Sequence, residues 1–423
     1  MKKIIVIGCP GSGKSTLSRK LHKITNIPLF HLDMMYWNAD RTIVDAPIFY
    51  QRISDIMNKN EWIMDGNYGS TLELRIKECD TVIFLDYPLE VCLDGIRERR
   101  GKARTDMPWF EAEDEEDAEF MEFVQNYHLQ NRPQVMELFE KYSDKNIIVF
   151  KNREETRLFL EKMQIPSKIK LLIDNKQYTV DDVGMSGNQV LIFEDMVLKI
   201  EDDPISARKQ LQIMKWLEDI ILVPRVIEYE EESSKCYLLM SKIGGKMSCD
   251  QYYLENADIL LKALADGLQM LWKLDISGCP VVRDLDIVLN EARLRVENNL
   301  VDVDNVDPET FGKNGFESPR HLLEWLENNR PTVEPVFSHG DYCLPNIFLD
   351  DGQVSGFIDL SRAGVGDKWN DIALCYRSLK HNFSGMYGGK IYEDFNADKL
   401  FETLGIEPDW EKIKYYLLLD ELF

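Results

Sequence analysis

The sequence has no long hydrophobic run and no closely spaced cysteine pair. No apolar stretch approaches the roughly 18 residues that a transmembrane helix needs, and the start, MKKIIVIGCPGSGKS, becomes glycine-rich before the apolar core of a signal peptide is complete. The eight cysteines are dispersed without a CxxC pair, which argues against a zinc knuckle or a disulfide framework. We therefore expect a cytoplasmic protein with buried or free thiols.

Basic residues are also few: 50 Lys and Arg stand against 74 Asp and Glu, so the formal net charge is −24. Nucleic acids and anionic membranes bind basic surfaces, so we expect neither as a partner. An acidic surface would attract a polycation, although it would serve equally well to keep the chain soluble. Hydrophobic residues form 44% of the sequence, which is enough for packed cores.

The length of 423 residues predicts two domains, because a single core rarely grows beyond about 250 to 300 residues. In the first part, short apolar runs alternate with helical patterns, which predicts a parallel sheet covered on both faces. The runs are KKIIVIG, IPLFHLD, EWIMDG, DTVIFLD and KNIIVF. A closing helix, REETRLFLEKM, precedes the proline-containing segment MQIPSK. We place the domains at residues 1–165 and 168–423.

The pattern changes after this boundary. KIKLLI, QYTVDD, QVLIFE and MVLKI are closely spaced and predict a small antiparallel sheet, with a turn at Glu194 and Asp195. From Tyr252 onward helical patterns dominate, except around one hairpin with a turn at Asp351-Gly352. A β-rich lobe followed by a helical lobe is the layout of a bilobal protein kinase. The predicted fold class is α/β, with a P-loop parallel-sheet NTPase domain followed by a kinase-like domain.

The first phosphate-binding motif is GCPGSGKS at residues 8–15, which matches G-x-x-x-x-G-K-[ST] between a predicted strand and a predicted helix. Glycines let consecutive backbone N–H groups face phosphates, the lysine reaches the outer phosphates, and the serine can hold Mg²⁺. The alternative is an accidental glycine-rich turn. The predicted nucleotide-binding residues are Gly8, Gly11, Ser12, Gly13, Lys14, Ser15 and Thr16, with Ser15 also a metal ligand.

The second motif is HGDYCLPN at residues 339–346, followed by a hairpin and FID at 357–359. This order of Asp, Asn and Asp is that of a kinase catalytic loop and its metal ligands. We predict that Asp341 accepts the proton of an acceptor hydroxyl, and that Asn346 and Asp359 hold Mg²⁺ beside ATP. Asp371 is expected to brace the loop, and His339 to be a structural hydrogen-bonding residue.

The amino-terminal part resembles small P-loop kinases of the adenylate and shikimate kinase type, especially the adenylate kinase-related topology modulation proteins. The matching segments are the P-loop, HLD at 31–33, DGNY at 65–68, FLD at 84–86 and the arginines of RERRGKAR at 97–104. The resemblance implies that Asp33 and Arg100 contact the acceptor substrate and that the arginines clamp the transferred phosphate. The arginine cluster could instead be only an exposed helix end.

From near Val183 to its end, the chain resembles the aminoglycoside 3'-phosphotransferases. The matching segments include FSHGDYCLPNIF, GQVSGFIDLSRAG, GDKWNDIALCYRS and GIEPDWEKIKYYLLLDELF. The resemblance implies that Met185 and Ser186 cover the nucleotide and that Lys199 contacts its phosphates. It also implies ATP-dependent phosphorylation of an aminoglycoside, a resistance activity, with the drug contacted by Arg362, Asp420, Glu421 and Phe423. Aminoglycoside ammonium groups call for carboxylates, which independently favours this acidic terminus.

Two positions depart from the family pattern. Gln210 stands where a glutamate is expected opposite Lys199, and Leu344 stands where some members have an acidic residue that meets the antibiotic. Three interpretations follow: a fusion of two kinases, a single kinase with an amino-terminal regulatory or docking module, or a nucleotide-binding pseudokinase. Another hydroxylated small molecule is an alternative acceptor. The retained Lys199, Asp341, Asn346 and Asp359 argue against a pseudokinase.

Overall fold

The computed structural model describes residues 1–102, 104–109, 118–174, 176–180, 189–232, 235–312, 315–387 and 389–423. The chain divides into two compact units, Met1–Ile165 and Pro166–Phe423. The predicted nucleotide-covering residues Met185 and Ser186 lie outside the described residues. Within the described ranges, every helix is too short or too polar to cross a membrane.

The amino-terminal unit is a parallel sheet with helices between successive strands. Its strands are β1 Lys3–Gly8, β2 Leu29–His31, β3 Trp62–Asp65, β4 Thr81–Leu85 and β5 Asn146–Phe150. Its helices are α1 Lys14–Thr25, α2 Asp33–Tyr36, α3 Ala46–Met57, α4 Gly69–Glu78, α5 Leu89–Arg99, α6 Ala118–Lys141 and α7 Arg153–Gln164. The strands pair in the order β2-β3-β1-β4-β5. The predicted parallel sheet is confirmed.

The burial of β1 explains why its sequence is apolar without alternation. Ile4 and Val6 belong to a hydrophobic core on one face of the sheet, and Ile5 and Ile7 belong to a second core on the other face. All four side chains are fully buried. Since successive residues of a strand point to opposite faces, a strand covered on both sides must be apolar at every position.

The carboxyl-terminal unit has a β-rich part followed by a mostly helical part. Its strands are β6 Thr179–Val180, β7 Gln189–Ile192, β8 Met196–Glu201, β9 Val226–Glu232, β10 Lys235–Ser241, β11 Lys246–Met247, β12 Pro335–Ser338, β13 Ile347–Asp350, β14 Gln353–Phe357 and β15 Gly364–Asp367. Its helices are α8 Ser167–Ile173, α9 Pro204–Leu217, α10 Gln251–Glu255, α11 Ala257–Trp272, α12 Leu285–Glu297, α13 Pro319–Asn328, α14 Lys368–Phe383, α15 Lys399–Leu404 and α16 Trp410–Asp420. Short 3-10 helices lie at Ile276–Gly278, Leu344–Asn346 and Leu360–Arg362.

The sheets of this unit place its candidate catalytic segments. Strands β6 to β10 form an antiparallel sheet in the order β6-β7-β8-β10-β9. The predicted hairpin is β13 and β14, and its turn residues Asp351 and Gly352 have φ values of 47° and 74°. Positive φ at both central residues is the pattern of a type I′ turn, one of the two favoured two-residue hairpin turns. The sequence prediction of this turn is confirmed.

The prediction of a strand at KIKLLI is wrong, because these residues lie in helix α8. Ile169 and Ile173, four residues apart, are buried, whereas Leu171 is 80% exposed. Such spacing is helical, since a half-buried strand would bury alternate residues. Pro166 precedes the helix at its N-cap, a position where its missing N–H costs nothing.

Candidate active site

The catalytic-loop segment is fixed by one buried carboxylate. Asp371 in α14 accepts hydrogen bonds from Ser338 Oγ at 3.0 Å, from the His339 amide at 2.8 Å and from the Gly340 amide at 2.9 Å. Burial, the largest influence, raises the pKa of Asp371 despite these bonds. Gly340 has φ 79°, and a Cβ there would lie 1.9 Å from the Arg362 carbonyl oxygen. The expected bracing role of Asp371 is confirmed.

His339 is held as a structural residue, as predicted. Its Nδ1 accepts the backbone N–H of Asp341 at 3.3 Å, so its proton lies on Nε2, which donates to the Ile358 carbonyl at 3.0 Å. The ring therefore connects the catalytic loop to the strand end before Asp359. Both nitrogens are occupied by backbone groups, so the imidazole has no remaining site for acid–base chemistry.

The Asp341 carboxylate lies at the centre of the loop. The Asn346 amide donates to its Oδ2 at 2.9 Å and to its backbone carbonyl at 3.0 Å, and Cys343 Sγ donates to Oδ1 at 3.0 Å. Because the amide nitrogen of Asn346 is committed to Asp341, the amide oxygen points elsewhere and remains an acceptor. This arrangement ties a candidate base to a candidate metal ligand.

Asn346 and Asp359 are brought together by the hairpin. Ile347 pairs with Phe357 in the β13–β14 ladder, and the Ile358 amide donates to the Asn346 carbonyl at 2.9 Å. The residues on either side of this pairing, Asn346 and Asp359, therefore lie at the same open end of the hairpin. One carboxylate and one amide oxygen, completed by phosphate oxygens and water, form the kind of ligand set that suits Mg²⁺.

Lys199 on β8 faces three side-chain oxygens. Its Nζ lies 2.9 Å from Glu201 Oε1, 3.0 Å from Asp359 Oδ1 and 3.1 Å from Gln210 Oε1. Burial acts to lower the pKa of Lys199, but Asp359 and Glu201 outweigh it and the pKa is raised. The expected position of Gln210 is confirmed. Sequence reasoning missed Glu201, although its i, i+2 spacing on a strand places it on the same face as Lys199.

The terminal acids lie together but are already engaged by arginines. Asp420, the last residue of α16, pairs with Arg362 at 2.9 Å and also with Arg377. Burial opposes ionisation of Asp420, but Arg377 and Arg362 outweigh it and lower the pKa. Glu421 pairs with Arg377 at 3.1 Å and accepts the Asp307 amide at 2.9 Å. The carboxylates are thus oriented by the protein itself.

Phe423 completes this end of the chain. The guanidinium groups of Arg362 and Arg295 lie 5.3 and 5.8 Å from its ring centroid, within the range of cation–π contacts. A cavity of about 50 Å³ is lined by Gly340, Arg362, Asp420 and Phe423, among others. Three of the predicted substrate residues, Arg362, Asp420 and Phe423, therefore share a cavity with Gly340 of the catalytic loop, whereas Glu421 does not line it.

Leu344, in contrast, does not line this cavity. Its side chain is fully buried in the hydrophobic core of the carboxyl-terminal unit. Burial of an apolar side chain in the core is favourable, so at this departure from the family pattern the leucine serves packing.

The GCPGSGKS segment of the amino-terminal unit, residues 8–15, connects β1 to α1. Lys14 Nζ donates to the carbonyl oxygens of Gly8 at 2.9 Å and Cys9 at 3.1 Å. Burial, the largest influence, lowers the pKa of Lys14. Gly11 has φ 84°, and a Cβ there would lie 1.9 Å from the Cys92 carbonyl oxygen. The loop therefore requires glycine for both conformation and space.

A cavity of about 1080 Å³ opens beside this loop. It is lined by Gly11, Gly13, Lys14, Ser15, Thr16, Asp33 and Arg100, and also by Trp37, Tyr68 and Trp109. Ser12 lines a neighbouring cavity instead. The Tyr68 hydroxyl donates to Asp33 at 2.6 Å, and burial raises the pKa of Asp33. The predicted residues of this unit are thus gathered around one loop, with Gly8 joined to Asn67 by two hydrogen bonds.

The fold and the Lys199–Asp341–Asp359 arrangement define the carboxyl-terminal unit as a kinase-like phosphotransferase. Residues 173–416 match the Phosphotransferase enzyme family (APH), and the chain belongs to that family. The enzyme class predicted from the sequence, an ATP-dependent phosphotransferase, is confirmed, and with it the cofactors ATP and Mg²⁺. The family match begins at residue 173 and so does not include the P-loop.

Similar proteins cover the same part of the chain. An aminoglycoside 3'-phosphotransferase of Enterococcus faecalis is 38% identical over 276 residues, which are 62% of this chain and 100% of that protein. The Staphylococcus aureus enzyme of the same name is 37% identical over 275 residues, with the same coverage. The structure of APH(3'')-Id from Streptomyces rimosus with ADP and streptomycin is 25% identical, with a TM-score of 0.50, and covers 60% of this chain and 97% of that one.

Proposed function

We propose that the carboxyl-terminal unit transfers the γ-phosphate of ATP to the 3'-hydroxyl of an aminoglycoside and thereby confers resistance. The observation that carries this proposal is that Arg362, which pairs with Asp420, packs directly against Gly340 of the catalytic loop, next to Asp341. Full-length coverage of relatives named aminoglycoside 3'-phosphotransferases supports the acceptor class. Another hydroxylated small molecule is the second candidate acceptor.

Each polar residue has a separate task in this reaction. Lys199 binds the α and β phosphates, and Asn346 and Asp359 hold Mg²⁺, which neutralises charge on the phosphates when it is bound. Asp341 orients the acceptor hydroxyl and takes its proton. Met185 and Ser186 remain predicted to cover the nucleotide. These roles use the oxygen atoms left free by the observed hydrogen bonds, such as Asn346 Oδ1.

In the proposed drug-binding site, the acidic side chains are already paired with arginines before substrate binds. Arg362 and Arg377 hold Asp420 and Glu421, so the acidic side chains do not form an uncompensated negative patch. A carboxylate oxygen has two lone pairs and can accept a substrate ammonium while keeping an arginine contact. We expect Asp420 and Glu421, with the ring of Phe423 beside them, to recognise the drug by geometry more than by net charge.

The test is a coupled assay of ATP consumption with a panel of aminoglycosides. The panel includes a matched pair that differs only in the presence of the 3'-hydroxyl, and the phosphorylated product is located by NMR. Turnover only with the 3'-hydroxylated compound is expected. Turnover of the 3'-deoxy compound would move the site of transfer to another hydroxyl, and no turnover with any drug would favour the other acceptor class.

We infer a second function for the amino-terminal unit, namely binding of a nucleoside triphosphate with Mg²⁺ and phosphorylation of a small acceptor. The specific observation is the cavity that holds Lys14, Ser15, Asp33 and Arg100 together. Backbone N–H groups at the start of α1 would face the phosphates, and Ser15 would bind the metal. Asp33, buried beside the Tyr68 hydroxyl, and Arg100 would contact the acceptor.

Titration calorimetry with the full chain tests this second site. Wild type should bind two equivalents of ATP, and Lys14→Met and Lys199→Met should each lose one. Lys23→Met, an exposed lysine on the same helix as Lys14, is the matched control and should keep both. A Lys14→Met protein that still binds two equivalents would leave the amino-terminal unit without the proposed nucleotide site.

A further inference from the structure

We propose that Glu201 is a positioning residue that supplies the carboxylate partner of Lys199 which helix α9 lacks. The proposal rests on the proposed role of Lys199 at the ATP phosphates. It concerns the departure at Gln210, where an amide stands in place of a carboxylate. In this chain a carboxylate beside Lys199 comes from β8, the strand that carries the lysine, whereas helix α9 offers an amide.

The helix supplies only a neutral contact. Gln210 is 1% exposed and its Oε1 lies 3.1 Å from Lys199 Nζ, so its side chain is correctly placed for the lysine. Hydrogen bonds to an ionised partner are roughly twice as strong as neutral ones. An amide at this position therefore orients the ammonium less firmly than a carboxylate would.

The strand supplies the missing charge. Glu201 follows Lys199 by two residues on β8, so both side chains project from the same face of the sheet. Glu201 Oε1 lies 2.9 Å from Lys199 Nζ, and the two side chains are only 4% and 7% exposed. A buried carboxylate is costly unless a cation pairs with it. The ammonium group of Lys199 is this cation, so the ion pair holds the two buried side chains against each other.

Asp359 cannot replace Glu201 in the working enzyme. The side chain of Asp359 is 35% exposed, against 4% for Glu201, so Asp359 faces the open site and Glu201 lies behind the lysine. As a ligand of Mg²⁺, Asp359 would share its oxygens with the metal. Glu201 then remains the carboxylate that restrains the lysine while the ammonium contacts phosphate.

The experiment compares Glu201→Gln, Gln210→Glu and the double variant in the full chain carrying Lys14→Met, so that ATP binding reports on the carboxyl-terminal unit. Both the dissociation constant for MgATP and the KM and kcat with an aminoglycoside are measured. Glu201→Gln should raise the MgATP dissociation constant and the KM for ATP about tenfold, as expected for one charge-assisted contact. The double variant should return to within about threefold, because it restores one carboxylate beside Lys199.

Asp202→Asn, at the exposed residue that follows Glu201, is the matched control and should change neither value. Circular dichroism and thermal unfolding identify any variant that fails to fold. An unchanged MgATP affinity in folded Glu201→Gln, or a defect that Gln210→Glu does not repair, would overturn the positioning role. The binding measurement needs no acceptor, so it holds even if the aminoglycoside assignment fails, and that failure would show only as absent turnover.

Discussion

The two units each bury a lysine beside a candidate phosphate site, but they hold it with different kinds of partner. Lys14 donates to the backbone carbonyls of Gly8 and Cys9, six and five residues away along the chain. These carbonyls carry partial charges only, and burial lowers the pKa of Lys14. A triphosphate would bring the full negative charges that the loop itself lacks.

Lys199 is held instead by ionised side chains, one of them 160 residues away in sequence. Glu201 and Asp359 lie within 3.0 Å, and with them the pKa of Lys199 is raised in spite of burial. The position of a lysine that is held by its own loop therefore depends on a short sequence motif. A lysine held by carboxylates depends on the packing of distant segments, and it can tolerate the loss of one partner if another replaces it.

The largest effect is expected from a residue that has no role in either lysine site. Asp341→Ala should lower kcat for aminoglycoside phosphorylation about a thousandfold, because proton transfer by a positioned base contributes roughly 10²- to 10⁴-fold. MgATP binding at both units should be unchanged. Asp350→Ala, an exposed acid at the end of β13 that follows the catalytic loop, is the control. Ordinary turnover in Asp341→Ala would remove the residue from the reaction.

Replacing each lysine separately tests the comparison directly. Lys199→Met should lower kcat/KM for ATP in aminoglycoside phosphorylation about a hundredfold, since two charge-assisted phosphate contacts are lost. Lys14→Met should leave this activity within about twofold, because its partners all lie in the amino-terminal unit. A large loss of drug phosphorylation in Lys14→Met would mean that the first unit regulates the second.

A smaller effect is expected at the drug side. Asp420→Asn should raise KM for aminoglycosides about tenfold and leave KM for ATP unchanged, because it removes one charge-assisted contact and leaves Arg362 and Arg377 less compensated. A point substitution is preferable to truncation, since Leu422 is fully buried and its loss would disturb packing. Glu411→Gln, exposed on the same helix, is the control. An unchanged KM for the drug would favour another acceptor.

The smallest effect is expected from separating the units. Residues 166–423 expressed alone should fold and phosphorylate aminoglycosides with kcat/KM within about twofold of the full chain, because a compact unit with its own core can fold independently. Circular dichroism and the coupled assay measure this. An insoluble or inactive fragment would show that the lysine site of the carboxyl-terminal unit depends on the presence of the amino-terminal unit.

The features predicted correctly from sequence are those encoded within a short window. The apolar runs around Ile4 to Ile7 predicted a strand covered on both faces, and the Asp351-Gly352 turn predicted the hairpin. The strand prediction for KIKLLI failed because a short apolar run fits a strand or a helix equally well. The structure buries Ile169 and Ile173, four residues apart on a helix.

The sequence by itself determined how Lys14 is held, since the two carbonyl acceptors of its ammonium group lie in the same GCPGSGKS motif. It also determined the order of Asp341, Asn346 and Asp359. Only the tertiary structure decided which carboxylate replaces the missing helix glutamate beside Lys199 and that Asp420 is held by Arg362 and Arg377. Ion pairs form between whichever charged groups the packed segments bring within contact distance, and no local pattern specifies that distance.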